Sequence, residues 1–370
     1  MKASVSRLDF DKALGVVSRA VSSRSLGSYQ QFVKLRLADG KLYLEATNDE
    51  LYTKVAIAAD VSDEGELLVG AIIADLVAKM TGDDVELARE AGKLTVKSGK
   101  SRYQLVCADA EIFPTIMDYT DASTMDMASG LLKDALKKTA FCAYKGSGER
   151  SSYYTSGVLF KFTPEYFDTV ATDGHRLALK KTRGKFGEEQ NDVLIPASNA
   201  DELLRFLPDG EETIVRVYMP ENHVFFEFDE MVVSSSMLDV KYPDYQRVIP
   251  SERATKVLIA RKEFLDALRR VLIVSRAKQH NPVVRLRTED SSMTIFTDAT
   301  DVGIGEEDVP CETEGENLEI AVNPGFLVDM LNQLTSERVY VYWNSKVTPL
   351  VVSAEDDSDF TYVVMPIRIE

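Results

Sequence analysis

Ala171-Thr172-Asp173-Gly174-His175-Arg176-Leu177-Ala178 reads as the end of one strand, a tight turn at Asp173-Gly174 and the start of a second strand that carries a histidine and an arginine. Related turn texts stand at Ala46-Thr47-Asn48-Asp49 and at Thr297-Asp298-Ala299-Thr300, about 125 residues to either side. Each follows a strand of alternating apolar and polar residues, at 41–47 after Asp39-Gly40, at 167–172 and at 293–297. Further outward, amphipathic helical stretches begin near Arg7, Leu131 and Arg261, and shorter leucine- or isoleucine-rich ones near Ala71, Pro196 and Asn323, again about 125 to 130 residues apart. Strand exits at Phe113-Pro114 and Tyr242-Pro243 keep the same interval, and the third copy runs to the C-terminus. One match alone is coincidence; the same order at the same spacing predicts a triplicated unit. The expected fold class is α+β, with similar domains at 1–125, 126–252 and 253–370, each built of short antiparallel strands with two helices on one face.

The chain has 370 residues, 43 Lys plus Arg against 60 Asp plus Glu, a net charge of −17 and 45% hydrophobic residues. That length and apolar share fit two or three domains with substantial cores and argue against disorder. The charge excludes a protein that is basic overall. Cys107, Cys142 and Cys311 lie far apart and in no CxxC spacing, so neither a disulfide framework nor a structural zinc is expected, and a reducing cytosol fits best. The segment Met1 to Arg7 lacks the apolar stretch of a secretory signal, and the longest apolar run, 67–74, stops at Asp75, well short of the ~20 residues that span a bilayer. No phosphate loop of G-x-x-x-x-G-K-[ST] type occurs. No cofactor or metal is expected.

The helical stretches separate the two signs of charge. Phe264, Leu265, Leu268, Val271 and Leu272 share one side of a helix, while Lys262, Arg269 and Arg276 recur every seven residues on the other. Lys12 and Arg19 repeat this in the first unit, Lys133 and Lys137 stand one turn apart in the second, and Lys79 and Arg205 add cations on the shorter helices. Acids gather instead at 60–66, 188–192, 306–308 and 355–359. Ordinary solvated surface explains any one such face. Three in register, set on a common side, would make a locally positive lining on a negative body, suited to sequence-blind contact with phosphate backbone.

The octapeptide at 171–178 resembles the signature of the bacterial sliding clamps, the beta subunits of DNA polymerase III. Tyr362-Val363-Val364-Met365-Pro366-Ile367-Arg368 is similar to that family's C-terminal tail and Tyr242-Pro243-Asp244-Tyr245-Gln246-Arg247-Val248 to its middle-domain exit, so the resemblance covers the whole chain. It implies a head-to-tail homodimer closed into a ring around double-stranded DNA, a processivity factor that tethers the replicative polymerase in the cytoplasm, at the nucleoid. The implied partners are the polymerase III catalytic subunit, an ATP-driven clamp loader, and other polymerases, ligase and mismatch-repair proteins that insert a short peptide with a glutamine and apolar anchors.

The same resemblance carries over residue by residue. For the partner peptide it points to Thr172, Gly174, His175, Arg176 and Leu177 in the signature, to Pro243, Arg247 and Val248 at the middle exit, and to Val363, Val364, Met365, Pro366, Ile367 and Arg368 in the tail. Asn323 and Phe326 would open the helix near the tail, with Val347 and Pro349 on the floor. Thr155 also falls at this seam, where the family often has a larger apolar residue. Anchors buried by Leu177, Val248, Val347 and Met365 would each contribute about 1.5 to 3 kcal/mol, and methionine suits a pocket that admits many partners. For DNA it points to Arg24 and to Arg150, Tyr153 and Tyr154, to which the charge pattern of the helices adds Lys12, Lys79, Lys133, Lys137, Arg205, Arg269 and Arg276. Ile72 and Ile73 stand where the family often carries basic residues, and the segment at 280–283 departs from the family text. Lys97, Lys100, Arg102, Tyr103 and Leu105 offer one edge for the dimer contact; Ile273 and Val274 with Glu306, Glu307 and Asp308 offer the other. Two other readings stand beside the clamp. One is a hydrolase using Asp173 and His175, for which no nucleophile signature is present. The other is an acidic scaffold that never meets nucleic acid.

Overall fold

The computed structural model describes residues 1–22, 29–146, 153–186, 191–210, 212–276, 282–298 and 303–368. Arg24, Arg150, the segment at 280–281 and part of the turn at 297–300 fall outside these, as does the side chain of Arg276. Six α-helices are found among the described residues: α1 Arg7–Val17, α2 Ile72–Ala78, α3 Ser129–Thr139, α4 Ala197–Phe206, α5 Arg261–Arg276 and α6 Pro324–Gln333. They begin close to where the periodicity places them.

The helices form for local reasons. In α1 the Ser6 side chain accepts the Asp9 amide at the N-terminus, and Phe10, Ala13, Leu14 and Val17 recur on the buried side. In α6 Asn323 caps the Gly325 amide at 2.9 Å, Pro324 opens the first turn, and Leu327, Met330 and Leu331 are buried. The first helix of every repeat is tied down alike: the leading amides of Arg7, Ser129 and Arg261 donate to the carbonyls of Asp83, Thr213 and Glu337 at 2.8, 2.8 and 2.9 Å. The hairpin at Asp39-Gly40 has φ of 52° and 71°, the two left-handed residues that a two-residue turn matched to strand twist requires.

The chain forms two compact units. One holds residues 1–132 and 202–237, and its thirteen strands make one antiparallel sheet. The other holds 133–201 and 238–370, with a twelve-stranded antiparallel sheet. The middle third of the chain is thus divided between them. Within the first unit the strand Leu51–Ala58 pairs with Met231–Ser236, setting Leu51 opposite Ser235. Within the second, Arg176–Arg183 pairs with Asp357–Val364, setting Arg176 opposite Val364. Each sheet therefore runs on from one repeat into the next through an equivalent pair of strands. Buried aliphatic and aromatic side chains fill the interior of each unit, Phe10, Leu35, Leu42 and Phe225 in the first and Phe160, Phe264, Trp343 and Tyr362 in the second.

Candidate functional site

The turn at 171–178 is held by its own side chains. Thr172 Oγ1 donates to the Arg176 carbonyl at 2.6 Å and accepts the Gly174 amide at 3.1 Å, while Asp173 Oδ1 accepts the amides of His175 and Arg176 at 2.9 and 3.1 Å. Gly174 sits at φ 89°, a conformation that disfavours any β-carbon. The Arg176 guanidinium reaches Asp173 Oδ2 at 2.9 Å and Asp329 Oδ2 on α6 at 2.7 Å, and lies 4.6 Å from the Phe326 ring centre. Two carboxylates thus neutralise it and fix the turn to α6.

Two further segments close on this turn. After strand Asp357–Val364 the tail continues alongside, with the Met365 amide donating to the His175 carbonyl at 2.9 Å. The exit at 242–248 ends in a 3-10 turn, Tyr245–Val248, whose Tyr245 hydroxyl donates to buried Asp168 Oδ2 at 2.6 Å. Burial first, then that carboxylate, push the Tyr245 phenol well above its ordinary pKa, so it remains a donor.

The three segments enclose a hollow of about 230 Å³ over an apolar floor that includes Leu159, Val170, Leu194 and Val351. Of the residues expected there, Thr172, Gly174, Arg176, Leu177, Pro243, Val248, Val363 and Met365 line it. Tyr154, expected at DNA, lines it too, its ring edge-on to Tyr242 at 5.5 Å. Tyr242, Asp244 and Tyr245 belong to the lining and were not anticipated, because tyrosines in such an exit read equally well as core. Val248 and Met365 remain 44% and 43% exposed, apolar area in position to be covered.

The other expected residues stand elsewhere. Val347, Ile367 and Arg368 line a separate hollow of about 610 Å³ with Arg285, Glu319 and Lys346. Val364 is fully buried outside the lining, since successive strand residues face opposite ways. His175 is exposed and stacks on Phe326 at 6.4 Å, Asn323 caps α6, and Arg247 is paired with Asp244 at 2.9 Å. The Thr155 carbonyl accepts the Tyr144 amide at 2.7 Å, and Pro349 and Pro366 are half-buried outside the lining.

Of the helix cations, Lys12, Lys79, Lys137, Arg205 and Arg269 are exposed and Lys133 is half-buried. Arg205 shares Glu202 with Arg19, at 2.6 and 3.2 Å, and Arg269 donates to Asn332 at 2.7 Å. Tyr153 is exposed; at the start of α2, Ile72 is exposed and Ile73 buried.

Besides the strands that end each sheet, Ser101–Ala108 and Glu306–Gly315 each keep a length of unpaired edge among the described residues. Ser101–Ala108 pairs on its second side only at Cys107 and Ala108, and Glu306–Gly315 meets one neighbour through 306–310 and another through 311–315. On the first, Arg102, Tyr103 and Val106 are exposed and Leu105 half-buried, while nearby Lys97 pairs with Glu86 at 3.1 Å and Lys100 is exposed. Beside the second, Ile273 and Ile304 are exposed, Val274 is half-buried, Glu307 grips Arg270 at 2.7 Å, Asp308 accepts the Thr294 hydroxyl at 2.7 Å, and Glu306 is exposed.

The hydrolase alternative finds no support. Asp173 is occupied in closing its own turn and holding Arg176, and what it bonds of His175 is the backbone amide, not the ring. Among the described residues no group of three or more His, Cys, Asp or Glu is placed to hold a metal, and no helix is long and apolar enough to cross a membrane.

Repeats of two helices on antiparallel sheets that run on from one repeat into the next make up the DNA clamp fold. Family models for the DNA polymerase III beta subunit match end to end: the N-terminal domain at residues 1–117, the central domain at 126–244 and the C-terminal domain at 246–368. The beta sliding clamp of Synechococcus elongatus is 30% identical over 378 residues, covering all of both chains, and that of Streptococcus pneumoniae 28% over 379 residues, covering 99% of this chain and 98% of the other. Among solved structures, the DNA polymerase III beta subunit of Thermotoga maritima (27% identical, TM-score 0.91) and the sliding clamp of Pseudomonas aeruginosa bound to griselimycin (27%, TM-score 0.94) each match over the full length of both chains. The chain belongs to the DNA polymerase III beta subunit family, the DNA sliding clamps that serve as processivity factors.

Proposed function

We propose that two copies of this chain close head to tail into a ring around duplex DNA, each contributing domains 1–125, 126–252 and 253–370, and that the ring has no reaction of its own. The observation that carries this is the repeated seam. Leu51–Ala58 on Met231–Ser236 and Arg176–Arg183 on Asp357–Val364 are equivalent pairings, and the strands left over at the two ends of the series are Ser101–Ala108 and Glu306–Gly315. Each lacks the partner its counterparts have, and a second copy supplies it. One edge carries Lys97, Lys100 and Arg102, the other Glu306, Glu307 and Asp308, so the two ends attract each other and repel their own kind.

Topology would then do the holding, with helix cations such as Lys12, Lys79, Lys133, Lys137, Arg205, Arg269 and Arg276 meeting phosphate without reading sequence, and Arg24, Arg150 and Tyr153 adding contacts. The hollow under the signature turn would take the apolar anchor of a short peptide from the polymerase III catalytic subunit, the clamp loader, other polymerases, ligase or mismatch-repair proteins in the cytoplasm. Tethering makes polymerase rebinding a local event at high effective concentration. The test is to load the protein on nicked circular DNA with a clamp loader and ATP, then linearise the circle. A ring slides off the ends. A protein still bound after linearisation at the same salt is a groove binder, and the proposal fails.

A further inference from the structure

The chain has 11 methionines, and two of them are exposed. Met365, 43% exposed, lines the hollow under the signature turn; Met117, 40% exposed, lines a hollow of about 210 Å³ beside the turn at 47–51. The others are buried or half-buried. Met365 is placed by its backbone. Its amide donates to the His175 carbonyl at 2.9 Å and the Ile367 amide to the Ala321 carbonyl at 2.8 Å, so the course of the tail does not depend on the thioether. Leu177, Val248 and Val363 make the wall around it apolar. The donors that frame the turn are already committed. The Thr172 hydroxyl donates to the Arg176 carbonyl, the Gly174 amide to Thr172, the Arg176 guanidinium to Asp173 and Asp329, and the Tyr245 hydroxyl to Asp168. A thioether asks nothing of them, being apolar and polarisable. A sulfoxide oxygen in its place is an acceptor that water serves while the hollow is open, and that loses this water once an apolar anchor covers it.

We propose that Met365 is an oxidative modification site, and that its conversion to the sulfoxide by hydrogen peroxide closes the hollow to apolar anchors. The thioether sulfur takes one peroxide oxygen: the O–O bond breaks, an S–O bond forms, sulfur gives up two electrons and the peroxide leaves as water. A thiol-dependent methionine sulfoxide reductase reverses the change, oxidising two thiols to a disulfide and releasing the oxygen as water. The consequence for docking rests on the proposed use of this hollow. A docked anchor covers Met365, so only a clamp without a partner is open to the modification.

The test uses the full chain and the synthetic peptide acetyl-Gln-Leu-Ala-Leu-Phe-amide, which contains no sulfur. The chain is exposed to hydrogen peroxide, then to a thiol that returns mildly oxidised Cys107 and Cys311 to the reduced form but leaves methionine sulfoxide in place. Mass spectrometry reads sulfoxide at 365 and at 117, and calorimetry reads peptide affinity. The expected result is oxidation at both positions, a loss of affinity of about tenfold that follows the sulfoxide at 365, and recovery with reductases for both sulfoxide epimers. Peptide bound beforehand should protect 365 and not 117. Met365→Leu, whatever its own affinity, should lose none of it to peroxide. Full sulfoxide at 365 with unchanged affinity, an unmodified 365 where 117 is oxidised, no protection by bound peptide, or an equal loss in Met365→Leu overturns the proposal. An untreated chain that does not bind the peptide refutes the docking reading itself, and this proposal with it.

Discussion

Asp168 shows how one residue can govern a binding wall it does not touch. It is 2% exposed, its Oδ2 accepts the Tyr245 hydroxyl, and its Oδ1 has no hydrogen-bond partner among the described residues. Burial pushes the carboxyl above its ordinary pKa, against the pull of Tyr245, Lys181 and Lys161. A carboxyl raised on folding stabilises fully below its unfolded pKa of about 3.9 and loses that contribution as pH rises through the folded value. Asp168→Asn keeps an acceptor for Tyr245 and removes the buried charge, so thermal unfolding at pH 7 should occur at the same or a higher temperature than in the unaltered chain, with the difference shrinking as pH falls toward 4. Asp168→Ala should cost about 1–3 kcal/mol at either pH, because the tyrosine hydroxyl is left unpaired, and should weaken peptide binding by loosening the Tyr245–Val248 turn. Equal losses for Asn and Ala at pH 7 would contradict this. Residues of this kind are hard to read from sequence. Thr172, Gly174 and Arg176 announce a turn by their chemistry, whereas Asp168 and Tyr245 lie far apart in the chain and each looks like ordinary strand or core. The tail marks the same limit: 363 to 365 were all legible as a site, and only strand alternation removes Val364 from the lining.

At the scale of elements, helices were legible because the 3.6-residue period is a local signal, and the strand at 41–47 because Asp39-Gly40 fixes its start. Pairings between repeats were not, since nothing in the strand 357–364 states that its partner is 176–183. The link is reinforced by long-range chemistry at the first residue of that strand. Asp357, 16% exposed, accepts Lys138 from α3 at 2.6 Å and Lys180 from the partner strand at 2.6 Å. Burial pushes its carboxyl up, and the two ammonium groups together outweigh that, so it titrates below the usual carboxylate range. A carboxyl depressed on folding stabilises above its unfolded pKa, and that contribution disappears as pH falls through the folded value. Asp357→Asn should cost about 3 kcal/mol in urea unfolding at pH 7, because two half-buried ammonium groups lose their counter-ion. The deficit should begin to narrow as pH falls below the ordinary carboxylate pKa of about 3.9 and close only below the depressed folded value, where the unaltered Asp357 is itself protonated. A deficit that is constant with pH would mean the aspartate acts by shape and not by charge. Asp357→Leu with Lys138→Met and Lys180→Met should recover most of the loss, as an apolar cluster of similar volume replaces the ion cluster.

At the scale of the whole molecule, triplication was the most legible feature and the assembly it implies the least, because a free edge is defined by pairings that exist only after folding. The repeated seam now fixes the expected contact between copies. In the two internal seams Leu51 faces Ser235 and Arg176 faces Val364, each just before the amide bond to Glu50 or His175. Carried to the free edges, that register sets Ile304 opposite Val106 and Asp308 opposite Arg102. Ile304 and Val106 are 67% and 77% exposed, apolar side chains that a strand edge facing only water would not favour. Neither was singled out in the sequence, where each is one apolar residue among many. Arg102→Glu should therefore turn a dimer into a monomer in sedimentation velocity, weakening each of two identical seams at least tenfold. The double variant Arg102→Glu with Asp308→Arg restores opposite signs across both seams and should sediment as a dimer again, which simple misfolding of the first variant could not produce. Val106→Asp should also give a monomer, and no charge change at 308 should rescue it. A dimer that survives Arg102→Glu and Val106→Asp alike would place the contact elsewhere, and the closed ring would lose the edge-to-edge pairing on which it depends.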